Sequence, residues 1–254
     1  MLNNKRQLIV PREATKFVIF QRTQYLFFRR NRVVQKIVKL LPKRLAYALE
    51  SLFSNFNLIV SIEAFFTHKT VEKMLDAEMN MEYESMKSFL PNKVSSILDI
   101  GSGVGGIDVL LFRHYQSLNP KIYLLDKTEM PSKVYYSFKP KGCYYNSLPL
   151  SRKLLEQNDI PKDNIFTEEA KDNHIGFDSK FDLVVSLISW GFHYPVATYL
   201  DRVYDKLNKD GALIMDIRKV QGSNGLQEIK QKFGNYKIIY ESSKNTRIVA
   251  IKNN

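Results

Sequence analysis

Residues Ile97 to Asp126, ILDIGSGVGGIDVLLFRHYQSLNPKIYLLD, constrain this chain more than any other stretch. Val94 to Ile100 reads as a short buried strand that carries Asp99. Gly101, Ser102, Gly103, Val104, Gly105 and Gly106 follow as a glycine-rich turn. Ile107, Leu110 and Leu111 mark the apolar face of a helix, which a turn at Asn119-Pro120 ends. A second apolar strand, Ile122 to Leu125, finishes on Asp126. The result is a strand–turn–helix–strand unit with glycines where the backbone must come close to a ligand, since glycine has no Cβ to clash and tolerates positive φ. An acid at the tip of the second strand stands where a ribose diol can donate two O–H···O⁻ bonds.

Two ligand classes fit this unit. The glycines satisfy G-x-G-x-x-G with an acid about 20 residues further on, the fingerprint of a dinucleotide site. Asp99, two residues before Gly101, argues otherwise. A pyrophosphate favours a neutral or positive approach, whereas a carboxylate suits a ligand with a cationic end. LDIGSGVGG followed by LLD resembles the first two motifs of class I S-adenosylmethionine-dependent methyltransferases, whose cofactor has an α-ammonium, a sulfonium and no phosphate. The resemblance covers residues 94–252. It implies an α/β fold: a Rossmann-like, seven-stranded, mostly parallel sheet with a C-terminal antiparallel hairpin strand, here preceded by an N-terminal helical extension. It also implies that Asp99, Gly101, Ser102, Gly103 and Gly105 cradle the methionine part of S-adenosylmethionine, and that Asp126 and Lys127 meet the ribose. A nicotinamide-binding domain remains the alternative of another class.

A chain of 254 residues can be one α/β domain with an extension or two small domains. Its single cysteine, Cys143, excludes an internal disulfide and a cysteine-based metal cluster, and fits a reducing, cytoplasmic setting. No metal site is expected. The net charge of +12 is unevenly placed. Residues 1–44 hold twelve Lys and Arg against one acid, Glu13, so nearly all the excess lies there. Such asymmetry points to a polyanionic surface. From Phe17 to Leu41 apolar residues recur at spacings of three, four and seven with Arg and Lys between them, the pattern of a basic amphipathic helix. Residues 17–41 are therefore expected either to lie on an anionic membrane, at its inner face, or to pack on the rest of the chain. A phosphate clamp on nucleic acid is a third reading.

Further along, helical pieces are expected near 43–53 and 56–66 and a longer helix near 70–89, with Met74, Leu75, Met81, Met86 and Phe89 inward. In the resembled family, helices before the first strand often cover the active site, which would turn Glu78, Glu82 and Tyr83 toward substrate. Residues 127–147 are Tyr-rich and long for a strand-to-helix connection. Tyr145 and Asn146 are candidate substrate contacts there. Leu148 to Gln157 reads as a helix and Ile165 to Thr167 as a third strand. After that strand the family places a residue that accepts a bond from the adenine amino group, a role that falls to Glu169 and Ala170.

Phe181 to Leu187 reads as a buried strand ending near Ser186, and ligand crevices lie at the carboxyl ends of such strands. The family's nitrogen methyltransferases commonly have Asn/Asp-Pro-Pro-aromatic here. This chain has Ser189-Trp190-Gly191-Phe192-His193-Tyr194-Pro195, which resembles sugar and small-molecule O-methyltransferases. Transfer to a hydroxyl needs a base, and His193 is of the right type; Trp190 is a candidate pocket wall. A helix from Val196 to Leu207, a turn at Asn208-Lys209-Asp210-Gly211, a strand Ala212 to Arg218, a helix Leu226 to Phe233 and two closing strands, Tyr236 to Ser242 and Thr246 to Lys252, complete the chain. The expected organisation is a basic segment (1–44), a helical cap (45–90) and a methyltransferase domain (91–254). The expected activity is O-methylation of a sugar or other small hydroxyl, free or carried on a glycan or lipid. An RNA methyltransferase, a nicotinamide oxidoreductase and a binding module without turnover are the rivals.

Overall fold

The structure is a computed structural model that describes residues 6–27, 56–128, 146–171, 173–220 and 224–253. Seven strands form one sheet: β1 (Ser96–Ile100), β2 (Lys121–Asp126), β3 (Ile165–Glu169), β4 (Phe181–Ser186), β6 (Leu207–Arg218), β7 (Lys237–Glu241) and β8 (Asn245–Ile251). Their order is β3-β2-β1-β4-β6-β8-β7. The first five in that order run parallel, and β8 lies antiparallel to both β6 and β7. This is the mostly parallel, Rossmann-like sheet with closing antiparallel strands that the sequence leads one to expect. The central strands are buried on both faces, so they are written as continuous apolar runs rather than alternating ones.

Six α-helices are described: α1 (Thr15–Gln21), α2 (Phe56–Met86), α3 (Gly106–His114), α4 (Leu148–Gln157), α5 (Leu200–Lys206) and α6 (Gly225–Phe233). One core lies between the sheet and α1, α2, α3 and α4; the other, on the opposite face, contains Trp190, Tyr199 and Phe233. The two helices expected over 56–89 are one continuous helix followed by a 3-10 turn, Lys87–Phe89. Its inward positions are Val60, Ala64, Val71, Leu75, Met79 and Met86. Met81 points to solvent at 74 % exposure, because Met79 and Met86 already occupy the inward face. The helix expected from Val196 opens as a 3-10 turn and becomes α-helical only at Leu200. The turn expected at Asn208–Gly211 is an irregular start to β6, with Asp210 at φ 61° and a register shift against β4.

The N-terminal segment is not one amphipathic helix over its described part. Arg22, at φ −130° and ψ 68°, stops α1, and a 3-10 turn, Thr23–Tyr25, follows. Before α1, residues 8–10 form a strap. The Leu8 N–H donates to Asp76 Oδ1 (2.8 Å), the Ile9 N–H to Asn158 Oδ1 (3.0 Å) and the Val10 N–H to Glu72 Oε2 (2.9 Å). Leu8, Val10, Phe17, Phe20 and Leu26 are buried in the same core as β1 and α3. The apolar face read as a membrane surface is thus, up to Leu26, part of the interior. Among the described residues no helix is long and apolar enough to cross a membrane. Residues 28–55, including the rest of the 17–41 stretch and the helix expected near 43–53, lie outside the described residues.

Candidate active site

A cavity of about 550 Å³ opens at the carboxyl ends of β1, β2, β4 and β6, within the size range of small-molecule sites. Its floor is the glycine loop between β1 and α3. Gly101, Gly103 and Gly105 all have positive φ. At Gly103 the requirement is double. Its N–H donates to Asp126 Oδ2 (2.6 Å), and a Cβ there would lie 2.8 Å from Gln21 Oε1. The roof is α1 and the turn after it, Phe20 to Gln24, and α2 supplies Glu78, Met79 and Glu82 to one wall. Of the α2 residues expected to face substrate, Glu78 and Glu82 do line the cavity. Tyr83 instead bonds to His114 Nδ1 (2.7 Å).

Asp126 ends β2 and is 6 % exposed. Oδ2 accepts from the Gly103 amide and from Asn146 Nδ2 (3.1 Å), and Oδ1 accepts from the Lys127 N–H (2.7 Å). Burial pushes its carboxyl up to about 6, against these three donors. A carboxylate has about four lone-pair sites, so one acceptor position remains toward the cavity. Ser102 also lines the cavity, and its buried Oγ has no hydrogen-bond partner. An orphaned buried hydroxyl beside a part-satisfied carboxylate is the pattern left by a polar ligand. Asp99 is 2 % exposed and lies next to Asp108 of α3, which is fully buried with neither carboxyl oxygen bonded to a donor. Burial first, then the Asp108 charge, raises Asp99 well above the ordinary carboxylate range, and burial lifts Asp108 to about 7. Two carboxyls so buried and so close favour the protonated form over two negative charges.

The far wall is β5 (Ser189–Tyr194), a strand outside the seven-stranded sheet. It lies hard against β6: Gly191 has φ 83°, and a Cβ there would meet Met215 Cε at 2.5 Å and Asp216 O at 2.9 Å. Ser189, Phe192, His193 and Tyr194 line the cavity. His193 is half-buried, and burial together with the Arg218 charge lowers it to about 4, so its imidazole is neutral near pH 7.

Several expected contacts are corrected. Trp190 is fully buried in the core, with Nε1 donating to Val196 O (2.8 Å) and its ring edge-on to Tyr199; it does not wall the cavity. Gly191, at φ 83°, interrupts the alternation of the strand, and Trp190 lies before it on the core side. Ser186 is likewise fully buried, donating to Ile100 O (2.7 Å) and accepting from the Trp190 N–H (3.0 Å). It braces three strands and does not reach a ligand. Gly105 faces Leu155 of α4 rather than the cavity. Lys127 contributes its backbone N–H to Asp126 and does not line the cavity. Glu169 and Ala170 sit beside Asp126 at the end of β3 but outside the lining. Glu169 Oε2 accepts from the Thr128 N–H (2.9 Å), and the Ala170 N–H donates to Asp126 O (2.7 Å). Asn146 lines the cavity as expected, though it spends its amide on Asp126. Tyr145 and Cys143 lie outside the described residues.

Four groups escaped sequence reading. Asp216 and Arg247 are cross-strand partners on β6 and β8, both buried, joined by Nε···Oδ1 (2.9 Å) and Nη2···Oδ2 (2.7 Å) bonds. Arg247 Nη1 also reaches Glu82 (2.6 Å) and Ser85 (2.7 Å). The pair's signal was a charge inside each of two apolar runs, MetAspIle and ThrArgIle. Arg22, from the roof, pairs with Glu78 (2.7 Å). Arg218, at the end of β6, lines the cavity with its guanidinium 5.2 Å from the Phe192 ring centre.

An acid-tipped β2, a glycine loop after β1 and a closing antiparallel pair on a parallel sheet define the fold of class I methyltransferases. The chain is similar, over 94% of its length and 72% of the other chain, to an O-methyltransferase family protein from Burkholderia thailandensis, at 10% identity and a TM-score of 0.54. At that identity the likeness establishes the fold. More distant is a methyltransferase from Pyrococcus furiosus, with 16% identity, 69% and 83% coverage of the two chains and a TM-score of 0.46. A 16S rRNA N2 G1207 methyltransferase from T. thermophilus has 13% identity and a TM-score of 0.48. It covers 69% of this chain, which spans 43% of its length. No protein-family model matches the chain, and no curated protein sequence does.

Proposed function

We propose that this chain is an S-adenosylmethionine-dependent methyltransferase acting on the oxygen of a small hydroxyl acceptor, a sugar or related compound. The observation that carries the cofactor reading is the Asp126–Gly103 bond beside the orphaned Ser102 hydroxyl, at the mouth of β1 and β2. Two buried carboxyls, Asp99 and Asp126, border the same loop, a poor setting for a pyrophosphate and a good one for a cation with a ribose. This favours the methyltransferase reading over the nicotinamide one. In that cradle Asp126 accepts from a ribose hydroxyl at its remaining position, and Asp99 and Ser102 meet the methionyl end. The cofactor, when bound, supplies an electrophilic methyl group on sulfur.

The residues around it then do two things. The roof and α2 enclose the acceptor and hold its hydroxyl in line, and alignment of this kind lowers a barrier by roughly 7–11 kcal/mol. His193, neutral and facing the cavity, accepts the hydroxyl proton as the oxygen attacks. RNA gains no support from the described part of the basic segment. There Arg6 pairs with Asp159, Arg22 with Glu78, and Arg12 stacks on Phe65.

The test is calorimetric titration with S-adenosylhomocysteine of the wild type and of Asp126→Ala. Micromolar binding that the variant weakens at least tenfold is the expected result. Binding of NADH in its place, or equal binding by both proteins, would overturn the reading.

A further inference from the structure

Resting on the methyltransferase reading, we infer that the acceptor carries an oxyanion, a carboxylate or a phosphate, which docks on Arg218 and Lys244 at the β6 end of the cavity.

The charges of the cavity lining carry the argument. Its carboxylates are Glu78, Glu82, Asp99 and Asp126, and its cations are Arg22, Arg218 and Lys244. Glu78 is taken by Arg22 and Glu82 by Arg247. Asp126 already accepts from three amide N–H groups, and Asp99 lies against Asp108. Arg218 and Lys244 are left with no carboxylate among the described residues. Arg218 Nη1 is buried and bonds to nothing, and the guanidinium is held by stacking on Phe192. Lys244 is brought alongside by the β7–β8 turn, where the Lys219 N–H donates to Lys244 O (2.8 Å). A buried guanidinium N–H without an acceptor is unfavourable by itself, and a planar fork of N–H donors matches carboxylate or phosphate geometry.

Position separates the acceptor from the cofactor as the source of that anion. Asp126 is on β2, and β6 is three strands away in the order β2-β1-β4-β6, roughly 14 Å at ~4.8 Å per strand. Between them lies the glycine loop after β1, where the methionyl end belongs. Arg218 is thus beyond the loop that takes the methionyl end and near enough to His193 for its charge to act on the imidazole. An anion there fixes the acceptor's far end while its hydroxyl faces His193.

The experiment uses full-length protein loaded with S-adenosylhomocysteine and reads the His193 imidazole by NMR. The chain has four histidines, and His193→Gln assigns the resonance. Inorganic phosphate and acetate are titrated at constant ionic strength. The expected result is a saturable shift of the His193 signal in wild type, weakened at least tenfold in Arg218→Gln and several-fold in Lys244→Gln. Both variants should bind S-adenosylhomocysteine within about twofold of wild type, which also shows that they fold. No saturable shift in wild type, or equal shifts in all three proteins, would overturn the inference. A tenfold loss of S-adenosylhomocysteine affinity in Arg218→Gln would also overturn it, since Arg218 would then hold the cofactor's own carboxylate. Failure of wild type to bind S-adenosylhomocysteine is read before any anion is added, and it would overturn the underlying methyltransferase reading.

Discussion

Asp99 and Asp108 sit together under the glycine loop with too few donors for two negative charges. Burial raises both, so the folded chain keeps a proton that the unfolded chain gives up between about pH 4 and 7. Stability from this pair is therefore full at low pH and declines as pH rises across that window. A ligand that brings an ammonium against Asp99 expels the proton. S-adenosylhomocysteine should consequently bind more tightly as pH rises from 5 to 7. Calorimetry in buffers of unlike ionisation enthalpy should detect proton release, and Asp108→Asn should abolish it. His193 has the opposite sign. It is lowered to about 4, so its imidazole should stay neutral well below pH 6.5, and Arg218→Gln should raise its midpoint in an NMR titration. The glycine loop and Asp126 were legible because a backbone held close to a ligand restricts the residue types. Asp108 was not, because an acid in the first turn of a helix also suits a solvated helix dipole.

At the scale of elements, the Asp216–Arg247 pair fastens the cavity wall. Asp216 Oδ2 also accepts from the Ile188 N–H (3.1 Å), holding a β-branched residue at φ 52°, and Oδ1 accepts from Asn245 Nδ2 (2.8 Å). The backbone leading into β5 thus depends on a side chain from β6 and a guanidinium from β8. Replacing Arg247 by Met leaves Asp216 buried without its cation. The expected cost is about 3–5 kcal/mol, measured by urea unfolding. Replacing Arg218, which pairs with no carboxylate, should cost far less. The sheet strands were readable from continuous apolar runs. β5 was not, because its alternation of Trp190 inward and His193 outward is interrupted by Gly191, and nothing in its composition shows how closely β6 approaches.

At the scale of the whole molecule, the N-terminal residues belong to the fold. Leu8, Val10, Val18, Ile19, Phe20 and Leu26 are buried, and residues 8–10 are tied by side chains of α2 and by Asn158, just past α4. Removing residues 1–26 should therefore lower Tm sharply or abolish cooperative unfolding, measured by circular dichroism. A detachable arm would leave Tm unchanged. Charge and apolar spacing revealed a helical, basic segment. They could not reveal which surface it met, because the same pattern serves lipid and a neighbouring core.

The cavity's roof and the strand that braces its α2 wall come from opposite ends of the described chain. During synthesis α1 emerges more than 200 residues before β8, which carries the Arg247 that locks Glu82 into place. The pocket is therefore not completed until β8 has been made. Acquisition of ligand binding therefore waits on β8, and ligand binding can serve as a readout of that strand's arrival.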